Sequence, residues 1–270
     1  MHWSPLLLII YPILCSDVVL TDSPIKHIVL LVLGEKRLFD TDQDLENRSY
    51  DSFLGELNRD NSSTQEEHYN ISPNGTRIYA EMSDRLVSYF DPGHEIDEVT
   101  EQIYGSKTPS NLSNPVMSGF ASNAARLAYN LGIDQNLAMD EVMDYHTATT
   151  LPVLYGLARE YAVIDRWFAS VPGPTFPNRH FIHCATSGGH TKNYLSVLGY
   201  PMRTIYDSLN ENRRSWMAYS EGRFPSLLLY RHLRRPSNLA KMKPFKRFLR
   251  DAAAGRLPDF SLYVFQCTSR

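Results

Sequence analysis

Three short segments carry the residue types that chemistry on an anionic group needs. In Val171-Pro-Gly-Pro-Thr-Phe-Pro-Asn-Arg179, prolines fix φ and lower the entropy of ordering the chain, so Thr175 is expected to be held rather than mobile. A held hydroxyl beside a cation is a nucleophile, and Asn178 and Arg179 are donors suited to phosphoryl oxygens. Glu46-Asn47, after an apolar run, offers a carboxylate and an amide oxygen, which suit one hard divalent cation. In Asp91-Pro-Gly-His-Glu95, Asp91 suits a turn and His94 can contact phosphate or protonate a leaving oxygen. Each segment also has a plain alternative: a structural turn, a solvated polar loop, a structural histidine.

Other clusters are less specific. His180, His183 and His190 surround Cys184, with His180 and His183 at i,i+3 on one prospective helix face. Zinc would need further ligands. Ser187 lacks the G-x-S-x-G elbow of a serine nucleophile. The basic run Arg231, Arg234, Arg235, Lys241, Lys243, Lys246, Arg247 and Arg250, with Phe245, Phe248 and Leu249, suits either an anionic membrane surface or a solvated face.

The elements that must position these residues are legible in outline. Ile25–Leu33 is apolar and rich in β-branched residues, as in a strand buried on both faces of a parallel sheet. Residues 46–55 read as a loop entering a short helix, and residues 58–76 as a polar surface loop. Helices are expected over 97–104, 115–131 (with Gly132 as C-cap), 152–161 and 204–210, and one beginning at 179. Strands are expected over 162–164, 215–219 and 260–265. Residues 171–178 are expected to be a rigid turn-rich loop. Residues 239–254 are basic and amphipathic. Strands alternating with helices predict an α/β fold.

The chain has 270 residues and a formal net charge of -3, which gives no global basic field for nucleic acid. The apolar run Pro5–Leu14 followed by Cys15-Ser16 reads as a signal peptide over residues 1–16, too short to span a bilayer. Sequons at Asn47, Asn61, Asn70, Asn74 and Asn111 agree with export, and those between 58 and 76 are expected in solvent. No other segment is long and apolar enough for a membrane span. Of the cysteines, Cys184 and Cys267 remain after such cleavage, and spacing alone does not decide whether they pair.

Taken in order, IKHIVLLVL, ENRSYDSFLGEL, DPGHE, LPVLYGLAREYAVIDRWFASVPGPTFPNRHFIHCATSGG and AAAGRLPDFS resemble one phosphoesterase family. It holds bacterial phosphatidylcholine-hydrolysing phospholipase C, plant non-specific phospholipase C and a bacterial acid phosphatase. The resemblance covers residues 25–261. It implies an alkaline-phosphatase-like three-layer α/β/α sandwich and hydrolysis of phosphate esters through a phospho-enzyme. By the same resemblance Thr175 is the nucleophile, His94 contacts the phosphoryl group, Glu46 and Asn47 are metal ligands, and Asn178 lies in the nucleophile's motif. The implied cofactor is a divalent cation of unspecified identity. The implied partner is a phospholipid or other phosphate ester, with peripheral contact to a membrane surface.

Two departures from the family pattern shape the expectations. Residues 34–45 read as an insertion, since joining Leu33 to Glu46 yields the uninterrupted LLVLENRSYDSFLGEL. After Leu262 the chain departs into YVFQCTSR, whereas the family continues into strands with further acidic ligands and a histidine. The expected division is therefore a signal peptide at 1–16, a phosphoesterase domain at 25–262 that lacks its C-terminal side, and a divergent tail at 263–270. The expected function is a secreted, phospholipase C-like hydrolase. The alternatives are an acid phosphatase on monoesters, an inactive truncated product, or a glycoprotein that binds phosphate or lipid without turnover.

Overall fold

The computed structural model describes residues 25–35, 50–57, 68–84, 90–164, 168–221 and 226–266. Strands β1 (Ile28–Glu35), β4 (Trp216–Ser220), β5 (Met242–Pro244) and β6 (Phe260–Gln266) form one sheet in the order β1-β6-β4-β5. Every pairing in it is parallel. A second, antiparallel pair joins β2 (Tyr69–Ile71) to β3 (Arg77–Tyr79). The predicted α/β class is the observed one.

The central strands β4 and β6 are covered on both faces, whereas the expected burial of residues 25–33 on both faces is not observed: Ile25, Ile28 and Val29 are exposed, and β1 ends the order of the described strands. On one face Trp216 and Ala218 of β4 and Phe260 and Leu262 of β6 pack with Tyr200, Tyr206, Tyr230, Leu227 and Leu233. Trp216 meets Tyr206 with ring centroids 4.7 Å apart. Truncating a ring of this kind to alanine typically costs about 3–5 kcal/mol. Helix α6 (Thr175–Cys184) covers this face, with Phe176, Ile182 and Cys184 against the cluster. On the other face Tyr219 and Tyr263 meet helix α9 (Phe245–Ala253), through Phe248 at 5.2 Å from Tyr219 and Phe245 at 4.3 Å from Tyr263. Helices on both faces of a parallel sheet make three layers.

The remaining helices are α1 (Tyr50–Leu54), α2 (Ile96–Tyr104), α3 (Phe120–Leu131), α4 (Gln135–Met143), α5 (Pro152–Glu160), α7 (Ile205–Glu211) and α8 (Pro236–Leu239). Gly132 caps α3 as expected, at φ 70. The start expected at Pro115 lies instead at Phe120. Gly119 brings its backbone against α2: a Cβ there would stand 2.0 Å from the Glu101 carbonyl oxygen. Ala162–Ile164 is not a strand; three apolar residues carry too little pattern to specify one.

The expected polar loop at 58–76 contains β2, whose Asn70 is buried. Its amide donates to Met117 O (3.1 Å) and its oxygen accepts from Ala121 N (3.2 Å), so this sequon does not face solvent as expected. Asn74 and Asn111 are exposed. The strand expected over 260–265 is β6, so Tyr263–Gln266, although divergent from the family pattern in sequence, continue it beside β1 and β4. Gly34 and Glu35 of the expected insertion extend β1. Residues 36–45 and the expected signal peptide lie outside the described residues. Among those described, no helix is long and apolar enough to cross a membrane.

Candidate active site

Thr175 is not in a loop: it is the first residue of α6, and the proline-rich segment supplies the helix N-terminus. Pro174 is the N-cap and Pro177 sits in the first turn, where a missing N–H costs nothing. This explains why prolines that read as a rigid loop instead start a helix. The helix leaves four N-terminal N–H positions without intrahelical acceptors. Two are prolines, and the Phe176 N–H is taken by Asn193 Oδ1 at 2.8 Å. The remaining N–H belongs to Thr175. Among the described residues neither that N–H nor Thr175 Oγ1 has a hydrogen-bond partner, although the residue is only 9% exposed. An N–H donor and a hydroxyl thus stand together at the positive end of a helix dipole, where anions bind.

Asn178 holds the approach to this turn. Its oxygen accepts from Val171 N at 3.0 Å, and its amide lies 3.0–3.1 Å from the carbonyl oxygens of Val171, Gly173 and Pro174. The side chain expected to meet phosphoryl oxygens is occupied by the segment 171–174 that precedes Thr175.

His94 lies in the turn before α2. Its Nδ1 is 2.9 Å from Pro92 O and 3.1 Å from Asp91 Oδ1. A carbonyl oxygen only accepts, so Nδ1 bears the hydrogen and Nε2 is the nitrogen that exchanges a proton. Glu98 Oε2 accepts the His94 and Glu95 N–H groups. Gln102 donates to Gly93 O at 2.6 Å and to Asn123 Oδ1 at 3.1 Å, while Asn123 donates to Glu101 at 2.7 Å. Arg126 completes the chain on Glu101, whose carboxyl is held below its usual range by the Arg126 and Asn123 donors against the opposing effect of burial. A Cβ on Gly93 would stand 2.4 Å from Asn123 Oδ1, so only glycine fits this approach. The two motifs meet: Gly173 lies against Ile96, the first residue of α2.

A family model described as the Phosphoesterase family matches residues 44–269. The chain belongs to the phosphoesterase family. Its alkaline-phosphatase-like α/β architecture agrees with the parallel sheet and two helical layers described above. Among curated relatives, the chain is similar to Non-specific phospholipase C6 of Arabidopsis thaliana, 36% identical over 247 residues. That alignment covers 89% of this chain and 43% of the relative. Non-specific phospholipase C1 of Arabidopsis thaliana is 36% identical over 250 residues, covering 89% and 43%. Non-specific phospholipase C5 of the same plant is 35% identical over 256 residues, covering 88% and 45%. The chain spans less than half the length of the curated relatives it matches.

Glu46 and Asn47 fall within the span matched to the phosphoesterase family but outside the described residues. Arg179 is buried one turn beyond Thr175, and its charge depresses His183. The histidine cluster belongs to the core. His180 Nδ1 lies 2.9 Å from Tyr230 Oη, and His183 Nδ1 lies 3.3 Å from Tyr206 Oη. Burial lowers His180 to about 4 and His183 to about 3, so both are neutral near pH 7. Burial also pushes the Cys184 thiol up to about 11, which makes it inert. Among the described residues no group of three or more His, Cys, Asp or Glu gathers to hold a metal ion. Ser187 is buried, and its carbonyl accepts the His190 N–H. The residue the sequence did not reveal is Asn193: a lone polar residue carries no local signal that it caps a helix seventeen positions away.

Proposed function

We propose that this chain hydrolyses phosphate esters in the manner of a phospholipase C, with Thr175 as nucleophile. The observation that carries the reading is the pairing, at the start of α6, of a Thr175 N–H and hydroxyl that have no partner among the described residues. The anionic phosphoryl group binds at this helix end, where the Thr175 N–H and the dipole stabilise charge gained in the transition state. Thr175 Oγ gives up its proton to solvent and attacks phosphorus in line, the bond to the alcohol oxygen breaks, and phospho-threonine forms. His94 gives the leaving oxygen its proton from Nε2, while Pro92 and Asp91 fix the ring through Nδ1. Water then attacks the phospho-threonine, and His94 takes back a proton. Asn178 acts by positioning the Thr175 turn, and Arg179 by placing a buried positive charge one turn below it.

The donor set of Glu46 and Asn47 fits a hard divalent cation, whereas His180 and His183 are committed to tyrosine hydroxyls. When bound, the cation supplies positive charge that favours the threonine alkoxide. The substrate class is glycerophospholipid, in line with the names of the relatives. The Pro5–Leu14 segment and the exposed Asn74 and Asn111 sequons support an extracellular location.

The test compares the wild type with Thr175→Ala on phosphatidylcholine and on an aryl phosphate, with divalent cations added. Loss of at least about a thousandfold in turnover is expected. Equal rates in the two proteins would remove Thr175 from the mechanism.

A further inference from the structure

The segment from Asn193 to Leu198 starts beside the catalytic threonine and turns its apolar side chains outward. Tyr194 is 61% exposed, Val197 85% and Leu198 75%. Its backbone is nonetheless firmly held. Arg234 donates to Leu228 O at 2.7 Å, Val197 O at 2.5 Å and Ser196 O at 3.2 Å. Gly199 N donates to Ser196 O at 3.0 Å, the Tyr200 hydroxyl donates to Tyr194 O, and Asn193 holds the Phe176 N–H. Single exposed apolar residues are ordinary, but four (Leu195 included) within five consecutive positions on a clamped loop form a patch that calls for an apolar environment.

The surroundings of the patch say which environment. Gly199 lies against Arg231, so that a Cβ there would stand 2.9 Å from Arg231 N. Leu198 therefore neighbours the 231–235 turn. Lys192, Arg231 and Arg235 are exposed, and none of them has an acidic partner among the described residues. An apolar tip with a cationic border matches a bilayer surface, with acyl chains for the tip and phosphates for the border. A second copy of the same face would set like charges against each other.

We propose that residues 194–198 form a clamped interfacial loop that dips into a phospholipid bilayer and sets Thr175 at headgroup level. The loop rests on the phospholipase C reading for its purpose, but its binding is measured without turnover. The experiment uses the full chain with vesicles of phosphatidylcholine alone or mixed with phosphatidylserine. Val197→Asp with Leu198→Asp lowers vesicle binding at least about tenfold on both vesicle types. Arg231→Glu with Arg235→Glu weakens binding on the phosphatidylserine vesicles alone. Brominated lipid quenches the added fluorescence of a Leu198→Trp variant, which reports insertion of this position independently of the charged substitutions. Wild-type binding by the double aspartate variant, an unquenched tryptophan on bound protein, or no vesicle binding by the wild type would each overturn the proposal. So would a wild-type dimer that the aspartates split, which assigns the patch to a second copy. Vesicle binding without hydrolysis would leave the loop standing and count against the phospholipase reading alone.

Discussion

Gly173 packs closely against Ile96: a Cβ on Gly173 would meet Ile96 Cγ1 at 3.0 Å, so the isoleucine would have to give by a few tenths of an ångström. This contact joins the segment ending in Thr175 to the segment carrying His94. Residues 77 positions apart (96 and 173) are thereby brought together. Gly173→Ala is expected to push the segments apart, at a cost of about 1–3 kcal/mol. Thermal unfolding checks the cost, and a larger proportional loss of turnover than of folded protein checks the link between the motifs.

Asn178→Ala removes the side chain that bonds Val171, Gly173 and Pro174. Asn178→Asp is expected to be worse, although it is the closer isostere. It keeps the acceptor for Val171 N but turns a carboxylate oxygen on three carbonyl oxygens. A melting temperature lower for the aspartate than for the alanine variant is the expected result. The reverse order would show that the amide is not held there.

The contrast between Asn178 and Asn193 shows what was legible in the sequence. The PGPTFPNR segment identifies itself because prolines act on their own backbone, and the family resemblance rests on such local strings. The strand positions near 28–33 and 260–265 are legible for the same reason, since β-branched and aromatic runs mark strands, but the exposure of Ile28 and Val29 is not, because it depends on which neighbours the sheet supplies. The helix start at Thr175 was not, because proline favours a turn and a helix first turn alike, and packing decides between them. Asn193 and the Gly173–Ile96 contact are long-range relations with no trace in either segment. Glu46 and Asn47 lie outside the described residues, so their place beside Thr175 rests on the resemblance.

The neutral core histidines make stability depend on pH. His180 is lowered to about 4, first by burial and then by the charge of His190. His183 is lowered to about 3, first by burial and then by Arg179 and His180. Their folded values lie below the unfolded value of 6.5. Between about pH 6.5 and pH 4 the unfolded chain binds more protons, so stability falls as pH falls through this window. Denaturant unfolding across that range checks the slope. His183→Phe is expected to flatten it, and an unchanged slope would show that this histidine does not titrate on unfolding.

Arg234 clamps three carbonyl oxygens of residues 196, 197 and 228. Arg234→Met keeps the apolar stem and removes those donors. Faster chymotryptic cleavage at Tyr194 or Leu198 than in the wild type is expected, with the cut sites read by mass spectrometry. Equal cleavage would mean that the loop keeps its shape without the clamp.

The most direct measurement is an acid quench of the wild-type chain during turnover of a phosphate ester, followed by mass spectrometry of the peptide containing residues 171–179. The account predicts phosphate on Thr175, absent from a Thr175→Val control that is folded and inactive. Turnover by that variant at the wild-type rate, or phosphate trapped on another residue, would contradict it.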